Sequence, residues 1–166
     1  RSANEADLDL TDWSEVTVPG HWATSPLADT SGPVLYRRAF EAPTDVATDG
    51  SGPRRRWLVL DGVFSTADVW LDGTYVLDLD GWFFPHEVEV TDLLGERSEH
   101  VLTLEVACPL PETGEARRDL LGTYGTLPPS AYGAEPTGDH KPGPGGIWRG
   151  VRIAESGPVR IRHWRG

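Results

Sequence analysis

Short runs in which apolar and polar residues alternate recur along the whole chain, and no stretch keeps the period of a long helix. Val34-Leu35-Tyr36-Arg37-Arg38-Ala39-Phe40 alternates in part. His86-Glu87-Val88-Glu89-Val90 and Val101-Leu102-Thr103-Leu104-Glu105-Val106 alternate cleanly, as strands with one buried face do. Trp57-Leu58-Val59-Leu60 is continuously apolar, which predicts a strand covered on both faces. Ala67 to Leu71 and Thr74 to Leu79 read as two more strands. Asp72-Gly73 separates them, and both residues tolerate the positive φ of a type I′ hairpin turn. Val151-Arg152-Ile153 and Val159-Arg160-Ile161 close the series. Many short strands with Gly, Pro and Asp between them predict an all-β fold, an antiparallel β-sandwich.

Two regions interrupt the pattern. Thr44 to Pro53 is polar and rich in turn residues, so it reads as a connection between strands. Pro109 to Pro144 is longer and carries many Gly and Pro. Segments of that length without strand signals are usually functional or disordered. Within it, Glu115-Ala116-Arg117-Arg118-Asp119-Leu120-Leu121 predicts one short helical turn.

Four motifs follow one another in a fixed order: Val18-Pro19-Gly20-His21-Trp22, Tyr36-Arg37-Arg38-Ala39-Phe40, Ala67-Asp68-Val69-Trp70-Leu71-Asp72-Gly73, and Gly145-Gly146-Ile147-Trp148-Arg149-Gly150-Val151-Arg152-Ile153. From about Trp13 to about Ile161 the chain resembles the N-terminal sugar-binding domain of glycoside hydrolase family 2. That family includes β-galactosidases, β-glucuronidases, β-mannosidases and exo-β-glucosaminidases. The resemblance implies a jelly roll of the galactose-binding-domain type. It implies one domain spanning residues 1–166, cut from a larger enzyme that hydrolyses terminal β-linked sugars with retention. The implied partners are carbohydrate and the C-terminal immunoglobulin-like and barrel domains of the same protein. The absence of any methionine fits an excised piece.

The residues themselves argue against catalysis in this chain. A retaining glycosidase needs two carboxyls roughly 5–5.5 Å apart. Glu87 and Glu89 share a strand face, but they alternate with Val88 and Val90 and should therefore point to solvent. Glu112 and Glu115 sit in the Gly/Pro-rich segment without a partner base. In the family resembled, both catalytic glutamates lie in a later barrel domain, which takes roughly 250 residues. No catalytic residue is therefore assigned here. Ser65-Thr66 and Ser130 lack the strained turn of a nucleophilic serine. Gly143 to Gly146 is not followed by the Gly-Lys-Ser/Thr of a phosphate loop. Five scattered histidines lack zinc spacing. Asp7, Asp9 and Asp12 lack the glycine and distal glutamate of a calcium loop. The expectation is no cofactor and no metal.

Charge narrows the partners. At −11 the chain has no basic excess to neutralise phosphates, so neither nucleic acid nor an anionic membrane is expected. No apolar run approaches the about 18–20 residues of a membrane span. The single cysteine, Cys108, excludes an internal disulfide and reads as a buried, inert thiol. Compartment stays open, since a removed leader would leave no trace.

Two groups remain as candidate sugar contacts. Trp82-Phe83-Phe84 follows the hairpin, and exposed rings there could stack on a sugar's C–H face; anchoring the loop against the core is the competing account. Thr137-Gly138-Asp139-His140-Lys141-Pro142 lies just before the Gly-Ile-Trp-Arg stretch, where several family members send an aspartate toward the barrel's sugar site. Asp139 is the nearest carboxylate here, with His140 and Lys141 beside it. A free-standing carbohydrate-binding module, with Trp82, Phe83 and Phe84 as its platform, is the alternative reading. Trp13, Trp22, Trp57, Trp70 and Trp148 are expected mostly in the core. Arg37 and Arg38 should point to opposite faces, the inward one paired.

Overall fold

Nine short strands form among the described residues, and the longer ones mostly alternate between buried and open positions. A computed structural model describes residues 8–22, 25–27, 33–42, 54–64, 66–81, 83–107 and 145–161. The strands are β1 (Val34–Glu41), β2 (Arg55–Leu60), β3 (Val63–Phe64), β4 (Thr66–Leu71), β5 (Thr74–Asp80), β6 (His86–Glu89), β7 (Glu99–Ala107), β8 (Gly146–Ile147) and β9 (Val151–Ser156). One turn of helix, α1 (Thr91–Leu94), separates β6 from β7. Among the described residues three antiparallel sheets form, with strand orders β1-β7-β4-β5, β6-β2-β9 and β3-β8. This is the expected all-β, antiparallel sandwich.

Every second residue of β4 and β7 enters one core. Ala67, Val69 and Leu71 stand opposite Val106, Leu104 and Leu102, and all six are buried. Leu58 and Leu60 of β2 join the same apolar cluster from the second sheet, and Val34 of β1, Leu79 of β5, Leu94 and Ile147 also belong to it. Trp57 and Val59, on the opposite face of β2, are 7% and 0% exposed. The continuous apolar run is thus covered on both faces, as its pattern predicted.

The β4–β5 turn is the predicted one. Asp72 and Gly73 have φ of 50° and 79°, both on the positive side that a type I′ turn requires. Asp72 also ties the hairpin to β7. Its Oδ1 accepts the Val101 N–H at 2.8 Å, and its Oδ2 lies 2.7 Å from Nδ1 of buried His100.

Several expectations need correction. Val159-Arg160-Ile161 is not a strand: the backbone forms no ladder there, and Val159 and Ile161 face solvent. Gly157 and Pro158 break the run immediately before it. Trp13 is 36% exposed rather than core. Trp70 is half-buried, because it projects from the outer face of β4 beside Tyr75. Trp148 is half-buried too, since it follows the two-residue strand β8 and lies outside the core cluster. Arg37 is half-buried and Arg38 exposed, so neither enters the core. Helix α1 was not anticipated. Four residues give no periodicity, and tertiary contacts hold the turn: Leu94 is fully buried, and Val90 donates its N–H to the Arg56 carbonyl. Cys108, Glu112, Glu115, Ser65, Ser130, the 44–53 loop and the 115–121 turn lie outside the described residues, wholly or nearly so.

Candidate functional site

The four sequence motifs meet at one place. Gly20 donates its N–H to the Ile147 carbonyl at 2.8 Å, and Trp22 donates its own to Gly145 at 3.0 Å. The first motif therefore lies along the fourth. The Trp22 ring, 2% exposed, covers Gly145 so closely that a Cβ there would collide with it. Gly146 has φ of 124°, and a Cβ would stand 2.8 Å from the Gly20 carbonyl oxygen. Only glycine fits either demand. Trp22 Nε1 donates to Tyr36 Oη at 2.6 Å, which ties in the second motif. Burial raises the Tyr36 phenol above its ordinary pKa, and the Trp22 hydrogen bond opposes that shift. Burial likewise lowers the pKa of His21. Ile147 pairs with Val63 of β3, which runs on into β4 and the third motif.

Trp148 and Arg149 continue from this junction. Both donate backbone N–H groups to the Gly62 carbonyl at 3.2 Å. The Arg149 guanidinium lies 4.2 Å over the Trp148 ring. The indole Nε1 of Trp148 is buried and has no acceptor among the described residues.

Of the sequence-predicted contacts, Phe83 and Phe84 can be placed. Phe83 is 43% exposed and meets Trp148 edge-on, with centroids 6.3 Å apart. Phe84 is 57% exposed and packs on Gly81 and against His86, 5.1 Å between centroids. Both rings are packed on neighbours and partly exposed. Trp82, Asp139, His140 and Lys141 lie outside the described residues. The segment that carries Asp139, His140 and Lys141 leaves from Ala107, paired with Thr66 in the four-stranded sheet, and returns at Gly145 under Trp22.

Glu87 and Glu89 are each engaged by an arginine. Glu87 Oε1 accepts from Arg160 Nη2 at 2.6 Å. Glu89 is held by both Arg55 Nε and Nη2, and by the Thr91 hydroxyl at 3.0 Å. Those bonds, with Arg55 first, lower the Glu89 carboxyl to about 2. Sequence reasoning missed these arginine partners, because nothing in the strand pattern says which cation crosses from β2 or from residue 160. Asp9 accepts from the Thr11 backbone N–H at 3.0 Å, a local turn contact. No group of three His, Cys, Asp or Glu suited to a metal occurs among the described residues. None of the described helices is long and apolar enough to cross a membrane.

The described residues thus form an antiparallel β fold with a packed motif junction. A family model described as the glycosyl hydrolase 2 galactose-binding domain-like domain matches residues 27–137, more than half of the chain, and the chain belongs to that family. Beta-mannosidase B of Emericella nidulans is 37% identical over 83 residues, which are 50% of this chain and 9% of that protein. Beta-mannosidase B of Thermothelomyces thermophilus is 40% identical over 73 residues, 43% of this chain and 8% of that protein. The chain thus spans under a tenth of the length of these relatives. A glycosyl hydrolase family 2 member from Bacteroides cellulosilyticus shares the fold at TM-score 0.62 and 15% identity, over 98% of this chain and 19% of its own. A Bifidobacterium dentium β-glucuronidase, solved with coumarin-3-O-glucuronide, aligns at TM-score 0.52 and 30% identity over 64% of this chain and 17% of its own.

Proposed function

We propose that this chain is the N-terminal, non-catalytic domain of a retaining β-glycoside hydrolase. The complete polypeptide would remove terminal β-linked sugars in carbohydrate metabolism, using a carboxylate pair in a later barrel domain. The observation that carries this reading is the junction of the four motifs. They are consumed in packing and backbone hydrogen bonds around Trp22 and Gly145, and so look like scaffold. Two relatives bear the name beta-mannosidase B, which makes a terminal β-mannoside the first substrate to try.

The domain's contribution would be the loop between Ala107 and Gly145. Asp139, flanked by His140 and Lys141, would reach the sugar pocket and accept hydrogen bonds from two hydroxyls. Such bonds strengthen as the ring distorts toward an oxocarbenium-like transition state. Loss of one charged contact of that kind costs about 2–4 kcal/mol, or roughly two to three decades in rate. The test is kcat/KM for Asp139→Ala in the complete polypeptide, alongside a melting curve. A drop of that size with an unchanged Tm supports the role, and unchanged kinetics removes it.

The second reading, a free-standing carbohydrate-binding module, is favoured by the partial exposure of Phe83 and Phe84. It requires that the isolated chain bind a glycan and that Phe83→Ala with Phe84→Ala abolish the binding.

A further inference from the structure

The His100 ring is 0% exposed, and both of its nitrogens face acceptors. Nδ1 lies 2.7 Å from Asp72 Oδ2, and Nε2 lies 3.0 Å from the Arg97 carbonyl oxygen. A neutral imidazole has one N–H and one bare nitrogen; only the charged ring donates from both. The carbonyl can only accept, so Nε2 carries a hydrogen. Without a second proton, Nδ1 would meet the Asp72 oxygen lone pair to lone pair, at a ring shielded from water. Asp72 is the poorer site for that proton. Its Oδ1 accepts the Val101 N–H at 2.8 Å, and Arg97 Nη1 stands 3.8 Å from its Oδ2, so both surroundings suit a carboxylate.

We infer that His100 is a proton-gated clamp: its doubly protonated ring ties the β4–β5 turn, at Asp72, to the start of β7 and to the segment before it, at Arg97. Three parts of the fold meet at this ring. Asp72 is a positive-φ residue of the hairpin turn, His100 is the second residue of β7, and Phe40 of β1 stands opposite it with ring centroids 5.6 Å apart. Among the described residues the charged groups around the ring are Asp72, from the turn, and Arg97, whose guanidinium is largely exposed. Glu41 and Glu99, the next pair along the β1–β7 ladder, point to solvent. Loss of one proton leaves one ring nitrogen facing an acceptor with no hydrogen between them, and one of the two ties is lost. The clamp therefore holds while the ring is charged and is released as the pH rises; acid undoes it only by protonating Asp72 in turn. The Asp72 N–H still donates to the Val101 carbonyl at 2.9 Å, so release loosens the turn without unravelling the sheet.

The experiment is hydrogen exchange of the complete polypeptide, read by mass spectrometry in peptides that contain Asp72 and Val101. It runs from about pH 5 to about pH 9, with each rate divided by the intrinsic rate at that pH. The parent should lose at least about tenfold of its protection there as the pH rises. Asp72→Asn should keep its protection within about twofold over the same range. Asparagine tolerates the positive φ, its oxygen still accepts the Val101 N–H, and its amide N–H donates to a bare Nδ1, so that a neutral ring satisfies both contacts. Should Asp72→Asn fail to fold, His100→Gln takes its place: an amide does not titrate, so its protection should be flat whatever its level. A parent whose protection stays constant over the range would overturn the inference. So would an equal loss in parent and variant, which would put the titrating group elsewhere.

Discussion

The outer faces of the two larger sheets use the same residue types to opposite ends. On β6-β2-β9, Glu89 stands opposite Trp57, and Glu87 opposite Val59. Each glutamate meets an arginine, and the Arg55 and Arg160 guanidinium groups lie 4.8 and 4.6 Å over the Trp57 ring. On β1-β7-β4-β5, Asp78, Asp68 and Glu105 stand side by side in one cross-strand row. None of the three forms an ion pair among the described residues, and Asp68 accepts only the Tyr75 hydroxyl at 3.1 Å. Like charges directly opposite one another weaken a sheet. One face is therefore a built surface that holds residue 160 in place. The other is a solvated face whose charge adds to the acidity of the chain. A carboxylate on a strand says little until its cross-strand neighbour is known.

The two tryptophans give the largest expected contrast. Trp57 is 7% exposed and donates Nε1 to Ser156 Oγ at 3.0 Å. Trp57→Ala should cost about 3–5 kcal/mol, as for other large buried truncations. Trp70→Ala on the opposite face should cost clearly less, because that ring is half-buried beside exposed Tyr75. Urea titrations of both variants measure this, and equal costs would erase the difference between the faces.

Next come the carboxylates, with opposite signs. Glu87→Gln leaves the partly buried Arg160 without its charge partner and should destabilise by about 1–3 kcal/mol. Asp78→Asn removes one member of the acidic row and should stabilise by about 0.2–1 kcal/mol, less in high salt. Two changes of the same sign would show that the row is compensated.

The smallest effect belongs to Glu89. Arg55 holds its carboxyl at about 2, below the ordinary 4.5. Its contribution is complete above pH 4.5 and is lost as the pH falls toward 2. The pair is exposed, so the loss is modest and salt-sensitive. Glu89→Gln should lower stability modestly at pH 7, with the difference from the parent vanishing as the pH falls toward 2, so that the acid limb flattens in that window. An unaltered acid limb would mean that the pair contributes nothing.

Most of the scaffold was legible in the sequence. Alternation located β1, β4, β5, β6, β7 and β9, continuous apolarity located β2, and Asp72-Gly73 located the hairpin. What escaped were features set by contacts distant in the chain. The two-residue pair β3-β8 and helix α1 are too short to show a period. Val159-Arg160-Ile161 has the alternation of a strand, but Arg160 is drawn to Glu87 and Trp57, and no ladder forms. Trp148 reads as core by its place beside Val151 and Ile153, yet it follows β8 and lies against Phe83 and Arg149 instead. The motif residues were legible as a family pattern; their convergence on Gly145 was not, because a closure between positions 22 and 145 leaves no local trace.

The central proposal is that hydrolysis would belong to another part of the polypeptide, since Glu87 and Glu89, which share a face of β6, are each paired with an arginine. The direct measurement is release of nitrophenol from aryl β-mannoside, β-glucuronide and β-galactoside by the purified 166-residue chain, folded by its near-ultraviolet spectrum, beside the complete polypeptide. The account predicts turnover by the complete polypeptide and none above the uncatalysed rate by the chain alone. Turnover by the chain that disappears in Glu87→Gln, Glu89→Gln or Asp68→Asn would contradict it and place the catalytic carboxylates on these strands.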